Sequence, residues 1–232
     1  MTRVTAERAV VLHTRPYRET SMIANILTER HGRIAAVVRG ARGARKASSL
    51  QPFNQLVAGW SGRGSLMTLT SFEAISHPVL KGDQIAAAFY VAELVMRLLA
   101  EHEIAPRIFT AVVWSLDSLE AGDLSTEVVL RSFEKLLLED LGYGIEFGQC
   151  ADSLKSIDPQ ARYELIPEQG FVAAAEGKEG YSGADLLAIA DDDYSAASTR
   201  RSAKKIFRGL LNAQLGARPL LSRSLLLRGS RE

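Results

Sequence analysis

The sequence predicts an α+β chain, a small five-stranded β-barrel at the N-terminus followed by a mainly α-helical domain. Two patterns carry this. Short runs of β-forming residues separated by tight turns fill the first eighty residues, and a helical apolar period then takes over. At 232 residues with 47% apolar and 24% charged composition, the chain has enough apolar mass for a real core. The expected domains are residues 1–80 and 81–232, with a small irregular insertion at about 143–183.

The strands follow in order. RAVVLH (8–13) is the first, and the turn-prone TRPYRET leads to SMIANILT (21–28). ERHGR is the next turn and IAAVVR (34–39) the third strand. A long connection, RGARGARKASSLQPF, precedes two runs at 56–61 and 66–71 that flank GRG, a hairpin signature. Five short strands in about seventy residues match an oligonucleotide-binding (OB) barrel in size and count, and strand counting alone leaves an SH3-like barrel open.

His77-Pro78 and Lys81-Gly82-Asp83 mark the boundary. In QIAAAFYVAELVMRLLAEHE, residues Ile85, Ala88, Ala92, Val95 and Leu99 fall on one stripe, a helix that buries one face. Pro106 opens the next helix and Gly122 closes it. Ser125 is placed to cap TEVVLRSFEKLLLEDL, which ends at Gly142, and the three helices are expected to pack as a bundle. YELIPEQGFVAA reads as a small hairpin, and Ser182 with Asp185 as a capping box before ADLLAIA. The last long helix runs from about Ser198 to Leu215.

Net charge is only +1, but it is segregated. Residues 1–73 carry eleven Lys/Arg and four Asp/Glu, residues 74–193 eight and twenty-two, and residues 194–232 nine and one. No acid occurs from Arg30 to Phe72 or from Tyr194 to Arg231. Blocks of one sign mark polyanion-binding surfaces, or else the two basic ends fold onto the acidic middle and neutralise it. Arg39, Arg42, Arg45 and Lys46 crowd the long connection, with Gly40 and Gly43 between them. Arginine meets phosphate with a fixed fork of donors, and a glycine lets backbone come close to a ligand. On the last helix Arg200, Arg201, Lys204, Lys205 and Arg208 fall within an arc of roughly 140° at 100° per residue, opposite Ala203, Ile206, Phe207 and Leu210. That face is either solvated, docked on the acidic middle, or turned to a polyanion.

Catalytic patterns are missing. There is no GxxxxGK[ST], no strand-linked GxGxxG, no HExxH and no GxSxG. None of His13, His31, His77 and His102 has a ligand-spaced neighbour, and Asp191-Asp192-Asp193 reads as a solvated loop. A single cysteine, Cys150, excludes an internal disulfide and a Cys-rich zinc site. With no signal-peptide run and no stretch of about 18 apolar residues, the expectation is a soluble, cytoplasmic binding protein without metal or cofactor. Tyr17, Phe53 and Trp60 lie in the strand-rich region as stacking platforms or as barrel core, Phe53 being read as core and Tyr17, in the turn RPYRE, as exposed.

VLHTRPYRETS (11–21), HGRIAAVVRGAR (31–42), LQPF (50–53), RSFEKLLLEDLGYG (131–144) and RPLLSRSLL (218–226) resemble, in order and spacing, the bacterial recombination mediator family RecO. The resemblance covers nearly the whole chain. It implies an OB-fold followed by a helical domain, and a non-enzymatic role in DNA repair and homologous recombination. Such proteins bind single- and double-stranded DNA and anneal complementary strands coated with single-strand-binding protein (SSB). With RecR they help load RecA, and they work in the cytoplasm at the nucleoid. DNA contacts are expected from Arg33, Arg39, Arg42, Arg45, Lys46 and Tyr17, and from Arg200, Arg201, Lys204, Lys205 and Arg208. Arg131 matches a position tied to the acidic, phenylalanine-ended SSB tail, with Leu130, Phe133 and Leu137 as an apolar pocket or as bundle core. Some members carry a four-cysteine zinc module after GYG. Here Ser153 stands where the partner of Cys150 would be, so packing alone is expected to hold that subregion. The alternatives are an SSB-tail adaptor with little DNA affinity and an RNA-binding OB-fold protein.

Overall fold

The computed structural model describes residues 2–41, 43–175 and 178–229. Five strands build the N-terminal part: β1 (Thr2–Tyr17), β2 (Ser21–Thr28), β3 (Gly32–Val38), β4 (Gln55–Gly62) and β5 (Leu66–Ser76). They close into a barrel in the order β1-β2-β3-β5-β4. All contacts are antiparallel except β3 with β5, a parallel ladder of three pairs, Ala35, Ala36 and Val37 against Leu66, Met67 and Thr68. Strict alternation of buried and half-buried residues along β3 is the period of two seen in the sequence. The expected α+β architecture with a five-stranded barrel first is borne out.

The connection after β3 is not a plain loop. It contains a short helix, α1 (Ala44–Ser49), ahead of Leu50. Leu50 is fully buried in the barrel core with Ile26, Ile34, Leu56 and Trp60. Buried Asn54 donates its Nδ2 to the carbonyls of Ser48 at 2.9 Å and Ser49 at 3.1 Å, satisfying the end of α1. Phe53 lies edge-on to Phe89 with ring centroids 4.9 Å apart. Leu50 and Phe53 are therefore anchors.

The chain divides into two compact units. One holds the barrel, α2 (Asp83–Leu98), α3 (Pro106–Ala121) and a C-terminal helix, α7 (Ser222–Gly229), which the periodicity did not suggest. In α2 the stripe is buried at Ala88, Ala92, Val95 and Leu99, whereas Ile85 is 40% exposed. The segment between α2 and α3 is fastened to the start of β3. His102 N donates to Arg33 O at 2.9 Å, and Arg33 Nε donates to Leu99 O at 3.1 Å. Arg33 Nη1 also lies 3.6 Å from Glu101 Oε1, so its side chain is only 12% exposed. Arg33, expected to grip DNA, is a clasp inside this unit: Leu99 and Glu101, sixty-odd residues away, claim its side-chain donors, and His102 N claims its carbonyl. Gly32 sits in the left-handed region at φ +69, and a Cβ there would collide with the Glu103 carbonyl. Nearby, Trp60 is 1% exposed and meets His31 edge-on at 5.3 Å, so it is core and offers no platform to a base.

The C-terminal helix is held at its start by Glu93. That carboxylate accepts from Leu221 N at 3.0 Å, Ser222 N at 2.9 Å and Ser222 Oγ at 2.6 Å. Partial burial pushes the Glu93 pKa up, but these hydrogen bonds and the charge of Arg97 outweigh it and hold the carboxyl below the usual carboxylate range.

The second unit contains α4 (Thr126–Asp140), a sheet of β6 (Arg162–Ile166), β7 (Gly170–Ala173) and β8 (Tyr181–Ser182) in the order β7-β6-β8, then α5 (Gly183–Ala190) and α6 (Ala197–Leu215). The expected hairpin is β6–β7. The capping box at Ser182 does not form: Asp185 instead accepts from Thr199 Oγ1 at 3.1 Å and Ser202 Oγ at 2.8 Å, tying α5 to α6. Phe147, Phe171, Tyr181 and Phe207 form an aromatic chain with centroids 5.4–6.0 Å apart. It holds the irregular segment, where Cys150 N donates to Lys155 O and Ala151 N to Phe171 O.

Two outcomes follow for urea unfolding. Gly32→Ala is expected to lose about 2–4 kcal/mol through left-handed strain and overpacking, whereas Gly40→Ala, with open space around it, loses only the strain. Glu93 adds stability that is present above the unfolded carboxyl value and is lost as pH falls through its lower folded one. Glu93→Gln is thus expected to unfold more easily at neutral pH and to converge with the parent protein in acid.

Candidate nucleic-acid interface

The register of the barrel gathers several of the expected residues at one end. Tyr17 pairs with Ser21 at the β1–β2 turn, and Met22 pairs with Val38, the last residue of β3. Arg39 therefore emerges beside that turn, two strands from Tyr17. Arg39 and Lys46 are both exposed, and Lys46 Nζ donates to Arg39 O at 3.3 Å. Arg42 lies outside the described residues, as does the side chain of Arg45, whose backbone belongs to α1.

Arg39 and Lys46 border a groove of about 560 Å³ between the end of β3, α1 and β5. Its other walls are Val38, Ser49, Thr68, Leu69, Thr70, Ser71 and Phe72. Among the described residues, the lining carries two cations, four hydroxyls and no carboxylate. The β3–β5 ladder stops at Val37 and Thr68, so β5 continues past the end of β3 with that edge turned to the groove. Cations, hydroxyl donors and a strand edge suit a phosphate chain.

At the β1–β2 turn, Tyr17 is half-buried and Arg18 lies over its ring, 5.2 Å from guanidinium to centroid. Arg15 and Arg18 are exposed there. These two arginines and Phe72 were not among the expected contacts. RPYRE signalled the arginines, but only strand register shows which end of the barrel they share with Arg39.

The second unit has its own basic face. Arg201, Lys204, Lys205 and Arg208 are exposed along α6, opposite buried Ala203, Ile206 and Phe207. Self-neutralisation is partial. Glu127 pairs with Arg200 at 3.5 Å and with Lys204 at 3.4 Å, while Arg200 also donates to the carbonyls of Tyr194 and Ser195 at 2.7 and 2.6 Å. Lys205 lies over the Tyr181 ring at 5.4 Å. Arg200 is thus largely a brace at the start of α6, and Arg201 and Arg208 are its outward cations.

The residues expected to take the SSB tail are interior. Leu130, Phe133 and Leu137 are at most 4% exposed, and Arg131 is 5% exposed. Arg131 makes a two-point pair with Glu134, Nε to Oε2 and Nη2 to Oε1, each at 2.9 Å. A terminal carboxylate needs a free guanidinium and a ring needs an open slot. Here the guanidinium is engaged and the slot is filled by the unit's own core. The same region holds Lys135, which donates to Ile189 O, Ala190 O and Asp192 Oδ1 and so closes the C-terminus of α5. Burial, and after it the Asp192 carboxylate, push the Tyr194 phenol far above its usual value, so it stays a neutral donor to Asp192.

Among the described residues, no group of three or more His, Cys, Asp and Glu is arranged to hold a metal, and no helix is long and apolar enough to cross a membrane. Comparison with known proteins gives two family matches, Recombination protein O N terminal over residues 1–78 and Recombination protein O C terminal over 80–224. A DNA repair protein RecO from Cellvibrio japonicus is 41% identical, covering 98% of this chain and 99% of that one. Its counterpart from Pseudomonas aeruginosa is 42% identical over 96% and 94%, and that from Methylococcus capsulatus 39% over 96% and 93%. With a barrel of OB type leading into helices and matches spanning nearly every residue, the chain belongs to the RecO family of DNA repair and recombination proteins.

Proposed function

We propose that this protein is a DNA-binding recombination mediator. It anneals complementary single strands coated with SSB and, with RecR, helps to load RecA, in the cytoplasm at the nucleoid. It acts by binding, not by catalysis. Family membership supports the setting, and the carboxylate-free groove beside Arg39 and Lys46 is the observation that carries the DNA contact. In this reading Arg39, Arg42, Arg45 and Lys46 hold one strand at the barrel, with Tyr17, Arg15 and Arg18 on the neighbouring turn. Arg201, Lys204, Lys205 and Arg208 hold phosphates on α6. Two basic surfaces on separate units suit annealing, which brings two chains of like charge together. SSB and RecR enter through the family alone, and SSB-tail contact belongs on residues other than Leu130, Arg131, Phe133 and Leu137 as they stand.

The reading is tested by annealing of SSB-coated complementary strands, with Ala at Arg39, Arg42, Arg45 and Lys46. Loss of annealing with unchanged unfolding is expected, and unchanged annealing would remove the loop from the site. A protein that binds SSB tail peptide with no affinity for DNA would be an adaptor. One that prefers RNA of matched sequence would be an RNA-binding OB-fold protein. Neutralising about five phosphates on a single strand gives log K against log salt a slope near −3.5, and removing Arg39 and Lys46 should bring it to about −2. A slope near zero in the parent protein contradicts an electrostatic contact.

A further inference from the structure

The groove has an apolar floor that phosphate contacts leave unused. In the β4–β5 ladder Trp60 pairs with Leu69 and Gly59 with Ser71, so Thr70 is an extra residue in β5. A bulge of this kind moves the in–out alternation by one place. Met67 and Leu69 face the barrel core before it, and Phe72 and Ala74 pack against the core after it. Gly59 makes room for the bulge: a Cβ there would meet Ser71 Oγ at 2.7 Å and Thr5 O at 2.6 Å. Phe72 consequently rises, half-buried, into the same groove as Arg39 and Lys46. Had the alternation run on unbroken, position 72 would point away from the core.

We infer that the groove takes an unpaired strand, with a base lying on the Phe72 ring while its phosphates meet Arg39 and Lys46. Phe72 then sets the preference for single-stranded over duplex DNA at this site. The inference rests on reading the groove as the DNA site. A groove of about 560 Å³ has room for a nucleotide or two. Every base has a flat face, so a ring in the floor accepts any sequence. A duplex keeps those faces stacked inside and presents only its phosphates and the base edges in its grooves. The hydroxyls of Thr68, Thr70 and Ser71 line the same groove and can serve sugar and phosphate oxygens.

The test uses the full chain and three probes of equal length: oligothymidylate, the same backbone with abasic sites throughout, and a duplex. The parent protein is expected to prefer the thymidine strand over the abasic one by roughly five- to a hundred-fold, the range of one stacked base upward. Phe72→Leu keeps apolar bulk in the floor but removes the flat face. It should lose most of that preference while holding the abasic strand and the duplex as before, and Phe72→Ala should do the same. Arg39→Ala with Lys46→Ala should weaken all three probes and leave the thymidine-to-abasic ratio unchanged. If Phe72→Leu keeps the full preference, or weakens all three probes alike, the inference is overturned while the DNA-site reading stands. If the Arg39 and Lys46 substitutions change nothing, the DNA-site reading fails.

Discussion

The barrel closes through a parallel ladder only three pairs long, and the candidate site depends on that shortness. β3 and β5 part after Val37 and Thr68. From there one chain leaves as Arg39 and the α1 connection, and the other runs on as an unpaired edge. A longer ladder would zip the opening shut. The barrel tolerates the gap because Leu50, carried in by α1, fills the core beneath it, with Asn54 fixing the end of that helix. The basic connection is thus held by a plug at one end and a strand at the other. Arg39 and Lys46 border a groove whose shape the barrel fixes, which reduces the ordering cost of binding.

Charge is managed differently in the two units. On the barrel, the acid-free window from Arg30 to Phe72 leaves the described lining of the groove without a carboxylate, but some cations of that window already have partners. Arg30 is held by buried Glu7, and Arg33 by Leu99 O and Glu101. In the second unit, Glu127 takes part of the positive face of α6, and the buried Arg131–Glu134 pair takes a cation out of solvent altogether. Breaking such a pair costs far more than its net contribution, because the remaining charge is stranded. It therefore marks a residue of the interior. The segregation along the sequence is real, and folding sorts it into braces and exposed contacts.

The strands, the barrel and the first helices were legible because a period of two, turn glycines and Pro106 act within a few residues. Arg39 and Lys46 were legible as well, since an unpaired basic run is a local property. Partners distant in sequence were not. Nothing within Arg33's own strand shows that Leu99 and Glu101 claim it, and nothing near Phe72 shows that a bulge at Thr70 turns it into the mouth. Arg131 is the instructive case. Glu134, three residues on, was a visible sign of an internal pair. C-terminal helix α7 was missed because its stability comes from Glu93 and its packing on α2, not from its own pattern.

Backbone hydrogen exchange with and without a short single strand tests most directly the proposal that DNA binds at the mouth of the barrel. Protection is expected in α1 and in β5 from Leu69 to Phe72. The turn at Thr28–Gly32, at the opposite end of the β2–β3 ladder, should be unchanged. Protection confined to α6, or absent from both α1 and β5, would contradict it.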